Sequence, residues 1–186
     1  MMSLFKKSLI VFSFLIVTFA SQANNDLASL KARYFDAARE GNQAMLEAFY
    51  DAGLDANVAD EKGYTALILA AYHGHTDTVD YLINTAKANP CQEDNRGNTA
   101  LMGAIFKGHV SVAKQLVFAD CNIDEENEQG QTALMFASLF DRQEIINTLI
   151  DKGADTHHKD KAGNTVADIA LSQGNYALAK ALKDGE

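Results

Sequence analysis

The chain has 186 residues, of which 47% are hydrophobic and 22% charged, and a formal charge of −9. That much apolar content excludes an intrinsically disordered chain and is enough to bury a core. The acidity argues against nucleic acid and anionic lipid surfaces as partners, because both present phosphates and no run of Lys or Arg offsets the average.

Residues 1–23 differ from the rest. Lys6 and Lys7 precede an apolar run from Ser8 to Phe19, and Ser21 and Ala23 flank Gln22 ahead of Asn24. This is the pattern of a secretory signal peptide cleaved after Ala23, and its run of twelve residues is short for a membrane span. The expected product is residues 24–186, periplasmic or secreted and off the membrane, with an uncleaved anchor as the alternative. No cysteine lies near the cleavage site to carry lipid. Without Lys6 and Lys7 there remain 14 basic against 25 acidic side chains, a formal charge of −11. Such acidity either keeps an elongated protein soluble or steers a basic partner toward it.

From residue 60 onward the chain repeats. Gly63, Gly97, Gly130 and Gly163 are 34, 33 and 33 residues apart. A period of this length marks a stacked helical array, in which no unit can bury its apolar face without a neighbour. Asp60, Asp94, Asn127 and Asp160 stand three residues before those glycines, so side-chain oxygens are placed to fold back on turn amides. Thr65, Thr99, Thr132 and Thr165 follow two residues after them, the residue type that caps a helix start, and apolar residues come next.

A second break comes eleven residues after each turn glycine, at Gly74, Gly108 and Gly174, with Asp141 in the remaining place. A helix of about eight residues between the breaks is too short to persist alone and must be held by packing. Beyond the second break, Val79 and Leu82, Ala113 and Leu116, Ile146 and Leu149, and Ala179 and Leu182 are spaced to share one face of a second helix. Counting back, Gly41 precedes Gly74 by 33 residues, and Tyr34 to Arg39 take the place of a first helix in a divergent opening unit.

Five units result, over about 24–59, 60–93, 94–126, 127–159 and 160–186. The last is truncated and ends in Lys180, Lys183, Asp184 and Glu186, as a water-facing cap should. One extra residue near Ala86 to Pro90 reshapes a loop without breaking the stack, with Pro90 standing where a helix could not continue.

These residues resemble the ankyrin repeat, whose phrase is Thr-Pro-Leu-His after the turn and Gly-His before the second helix. Gly74-His75 and Gly108-His109 match the latter, and Ala70-Ala71 and Gly153-Ala154-Asp155 are also typical. The former is altered: Ala66, Ala100, Ala133 and Val166 replace its proline, and Ile68, Met102, Met135 and Asp168 its histidine. The resemblance implies an all-α ankyrin-repeat solenoid, with looser coupling between units where that histidine is missing. Asp141-Arg142 in place of Gly-His is expected to distort the fourth unit.

Cys91 and Cys121 are the only cysteines, an even number in a chain that reads as exported. Repeat alignment puts both in segments leading from a second helix to the next turn, in adjacent units. They form a disulfide or remain two separate buried thiols. By the resemblance His75 and His109 are framework residues. His157 and His158 are consecutive in a loop, near Asp155 and Asp160, but show no metal-ligand spacing; at most they form a weak adventitious zinc site. No serine sits in a nucleophile elbow, and the glycines are accounted for by the repeat rather than by a phosphate loop. Neither a catalytic residue nor a cofactor is expected.

The resemblance also implies a shape like a cupped hand, with the turn tips as fingers, the first helices as palm and a partner protein in the concavity. The positions that vary freely in the family hold mostly polar fingers here, including Glu61, Lys62 and Tyr64, then Asn95, Arg96 and Asn98. The palm holds Tyr72 and His73, Phe106 and Lys107, and Leu139 and Phe140. Tyr64, Tyr72, Phe106, Leu139 and Phe140 are therefore the expected anchors, with Glu61, Arg96, His73 and Lys107 around them; the alternative is that Phe106 or Phe140 fills a gap between units. The reading is a monomeric, non-catalytic adaptor, which by resemblance to exported bacterial ankyrin proteins supports an enzyme such as one of oxidant defence. An immunity protein that neutralises a toxic enzyme is the second reading, and an enzyme with an unrecognised site is a remote third.

Overall fold

The computed structural model describes residues 26–184, so the expected signal peptide lies outside the described residues. Among the described residues ten helices follow one another in antiparallel pairs: α1 over 26–40, α2 Gln43–Asp51, α3 Ala66–His73, α4 Thr76–Asn84, α5 Ala100–Lys107, α6 Val110–Val117, α7 Ala133–Leu139, α8 Gln143–Asp151, α9 Val166–Ser172 and α10 Tyr176–Asp184. First helices stack on first helices (α3 on α5, α5 on α7, α7 on α9), and second helices do likewise (α4 on α6, α6 on α8). Among the described residues no helix is long and apolar enough to cross a membrane.

The turn chemistry runs as the spacing predicts. Asp60 Oδ1 accepts from the amides of Lys62 and Tyr64 at 2.8 and 2.9 Å, and Asp94, Asn127 and Asp160 repeat the arrangement. Each threonine then caps a first helix, its hydroxyl oxygen accepting from Ile68, Met102, Met135 or Asp168. Successive fingertips are laced by single backbone bonds: the amides of Asn95, Glu128 and Lys161 donate to the carbonyls of Lys62, Arg96 and Gln129. A short helix therefore starts with one free amide capped by its threonine, behind a turn whose tip is tied to the next unit.

Between the two helix layers lies one continuous core. Val79, Leu82, Ala113, Leu116, Ile146, Leu149 and Ala179 are all buried, each large one contributing roughly 1.5–3 kcal/mol over exposure. Leu182, expected on the same face, is only half-buried. Ile68, Met102 and Met135, which replace the family's histidine, are buried at 5%, 1% and 2% exposure, so apolar packing takes the place of its hydrogen bonds.

Coupling between units runs instead through the start of the second helix. His75 Nε2 donates to the Arg39 carbonyl at 2.7 Å, and His109 Nε2 to the Tyr72 carbonyl at 3.1 Å. Contrary to expectation, the fourth unit is not distorted: Asp141 adopts the left-handed conformation at φ 53°, and Arg142 reaches back to the Ile105 carbonyl at 3.2 Å. The following unit explains why aspartate fits. A Cβ on Gly74 would meet the His109 ring at 2.6 Å, so that position excludes any side chain as well as needing φ +82°. Behind Asp141 there is no ring; Asn175 stands there and donates to its carboxylate at 3.1 Å.

The extra residue before Pro90 is absorbed locally. Lys87 takes a positive φ, and the loop is tied to the preceding unit by the Asn89 amide, which donates to Asn57 Oδ1 at 2.7 Å. In the outer loops Cys91 and Cys121 are joined by a disulfide, with their Cα atoms 5.4 Å apart.

Candidate functional site

First helices and fingertips of the opening units enclose an open groove of about 1140 Å³. Tyr64, Tyr72, His73, Phe106, Leu139 and Phe140 all line it, together with Glu61 and Arg96 from the fingers. Lys107 completes the set from above, its Nζ 5.2 Å from the centre of the Tyr72 ring.

The rings form a row across three units. Tyr72 stacks on Phe106 at 6.1 Å with 18° between planes, and Phe106 meets Phe140 edge-on at 5.0 Å. Such pairs contribute about 0.5–1.5 kcal/mol beyond the area they bury. Phe106 nevertheless stays 44% exposed. It therefore does not fill a gap between units, and the row presents aromatic surface to solvent. Phe140 caps the end of α7 and is half-buried against Phe136.

Sequence spacing missed part of the lining. Phe136 sits four residues before Phe140, and that interval was the signal that both share a face. Phe35 and Arg39 come from the divergent first unit, where the repeat register is faint. Gly103 lies inside α5, and contrary to the expectation that every glycine serves the repeat, it belongs to no turn or break. Its register position holds Leu69 one unit earlier and Phe136 one unit later, and all three line the groove. A Cβ there would meet nothing closer than the Tyr72 ring at 3.8 Å, an ordinary contact. Packing does not require the glycine, which leaves a notch in the groove floor.

The electrostatics also differ from what the acidic average suggests. Although the sequence holds no basic run, the fold brings Lys31, Arg39, Lys62 and Arg96 into the groove wall. Helices α3, α5 and α7 carry no carboxylate, only His73 and Lys107 as basic groups. His73 has its pKa lowered, first by burial and then by the neighbouring His75, Arg39, Lys107 and His109, so it stays neutral near pH 7.

The two loop histidines serve the structure. His158 Nε2 donates to the Gly130 carbonyl at 2.9 Å within the fourth unit and lies 3.5 Å from Glu126 of the third, and His157 donates its amide to Asp155. Among the described residues no group of three or more His, Cys, Asp and Glu is arranged to hold a metal ion.

Comparison with known proteins agrees with this architecture. The family described as ankyrin repeats (three copies) matches residues 34–127 and 111–186. The putative ankyrin repeat protein YahD of Escherichia coli K12 is 26% identical over 194 residues, covering 84% of this chain and 96% of that protein. A putative ankyrin repeat-containing protein of Treponema pallidum is 33% identical over 126 residues, 67% of this chain but 42% of its own length. The human SH3 and multiple ankyrin repeat domains protein 2 is 27% identical over 148 residues, and there the chain spans only 8% of the relative. With stacked helix pairs, capped turns and two matches that together run from residue 34 to the end, the chain belongs to the ankyrin-repeat family.

Proposed function

We propose that this protein is a non-catalytic, monomeric adaptor that works outside the cytoplasm and holds a partner protein in its groove. Ankyrin repeats are protein-interaction scaffolds, which sets the broad role. The observation that carries the site is the ring row Tyr72, Phe106 and Phe140, whose central member keeps 44% of its surface in water. Rigid aromatic area of this kind, rimmed by polar fingertips, is what a partner must desolvate to bind tightly.

The test is affinity capture from periplasmic extract with the protein lacking residues 1–23, followed by mass spectrometry. A partner retained by the wild type and lost with Tyr72→Ala plus Phe106→Ala, at unchanged circular dichroism and melting temperature, supports the reading. Undiminished capture by the folded double variant overturns it. Assaying a captured enzyme with and without the adaptor then separates support, as for an oxidant-defence enzyme, from neutralisation, as for a toxin.

A further inference from the structure

The molecule is electrically polarised. Its second helices expose Asp51, Asp77, Asp80, Glu144 and Asp151, whereas the groove gathers Lys31, Arg39, Lys62 and Arg96, with Lys107 at its edge. Among the described residues, Lys31, Lys62, Arg96 and Lys107 have no carboxylate within ion-pair distance.

Two of the groove's three carboxylates are already engaged. Asp60 accepts from two turn amides and lies 3.7 Å from Arg39, and Asp94 accepts from two amides and the Asn98 side chain. Glu61, on an exposed fingertip, is the third, and the five cations, Lys107 included, outnumber the three carboxylates.

Beside this charge lies the notch over Gly103, walled by Leu69, Tyr72 and Phe136. Glycine inside a helix is unfavourable by about 1 kcal/mol relative to alanine, and nothing in the packing asks for it here. A Cβ at this position would have only the Tyr72 side chain within 4 Å, so the space beside it is open to the groove.

We infer that the groove takes an acidic segment of its partner, with one aromatic or long aliphatic side chain in the notch over Gly103 and flanking carboxylates on Lys62, Arg96 and Lys107. This rests on the adaptor reading and adds the partner's chemistry. Carboxylates and the cations attract at short range, where the groove's own charge dominates. Nucleic acid fits less well: its row of phosphates continues past the groove onto the acidic surface of the −9 chain, whereas a short segment keeps its carboxylates beside the cations.

The experiment selects binders to the purified protein from a displayed random library of peptides about twelve residues long. An enriched peptide is then labelled with fluorescein and titrated by anisotropy. The expected winners carry Asp or Glu around a Phe, Tyr, Leu or Met. Arg96→Glu with Lys107→Glu, both at exposed positions, should weaken them by about tenfold or more, and added salt should weaken wild-type binding. Gly103→Ala should weaken them while raising the melting temperature.

Winners that are neutral or basic yet still lost with Tyr72→Ala plus Phe106→Ala overturn the charge assignment and leave the adaptor reading standing. No enrichment, or winners indifferent to that pair, overturns both. Displacement of the peptide by a single-stranded oligonucleotide shows that the cations serve phosphate and overturns the inference.

Discussion

Arg142 donates from Nε to the carbonyl of Ile105 across 37 positions, taking the place that His75 and His109 hold in earlier units. A guanidinium thus does the work of an imidazole, with a second donor toward the Phe106 carbonyl. Arg142→Ala should destabilise the protein by about 1–2 kcal/mol, and Arg142→His should recover part of that. Urea unfolding with unchanged slope measures it; an alanine variant with the wild-type midpoint would show the clasp to be idle.

Gly103→Ala is expected to stabilise the fold by up to about 1 kcal/mol, since the new methyl group meets only the Tyr72 ring at ordinary distance. Thermal unfolding of the two proteins side by side decides the point. A lower melting temperature would mean that the helix needs the glycine for a reason other than binding.

Caps, turns and second-helix faces follow from the period, because each depends on neighbours within a few positions: Asp60 on Tyr64, Thr65 on Ile68, Val79 on Leu82. The ring row was legible too, since Tyr72 and Phe106 share one register position and Phe140 stands one residue further on, beside Leu139. What was not legible depends on the next unit. Whether Asp141 is tolerated is decided by Asn175, and the basic wall of the groove draws Lys31, Arg39, Lys62 and Arg96 from three different units.

Asn127 breaks the row of turn aspartates for a stated reason. Its Oδ1 accepts from the Gln129 and Gln131 amides, while its Nδ2 donates to Asn98 Oδ1 at 3.1 Å, and the residue is 5% exposed. Asn127→Asp would keep the acceptor but set a buried charge against the Asn98 oxygen. A loss of about 1–3 kcal/mol is expected at pH 7, shrinking as the new carboxyl is protonated. Equal stability at pH 7 would argue that the Asn98 contact does nothing.

Asp168 closes a capping box on α9, and its pKa is lowered first by the Thr165 amide and then by the Thr165 hydroxyl. A group whose folded pKa lies below its unfolded value stabilises above the unfolded pKa and loses that contribution as pH falls through the folded one. The wild type should therefore lose stability toward Asp168→Asn as pH drops below about 4, the usual carboxylate range. Melting curves from pH 7 to pH 3 should converge; a constant gap would contradict the assignment.

Reduction tests the Cys91–Cys121 bond. On the chain-entropy account a loop of 30 residues contributes about 3–4 kcal/mol. Cys91→Ser with Cys121→Ser should lower the urea midpoint by a matching amount, and the wild type in dithiothreitol should behave like it. Two titratable thiols in protein purified from an oxidising compartment would remove the premise.

Among the described residues the covalent bridge fastens one junction, between the second and third units. In a linear stack, opening starts where nearest-neighbour support is weakest. Heat or traction should therefore part the unbridged junction between the third and fourth units before the bridged one, so a bound partner would first lose its grip at Phe140 and keep it longest beside Tyr72.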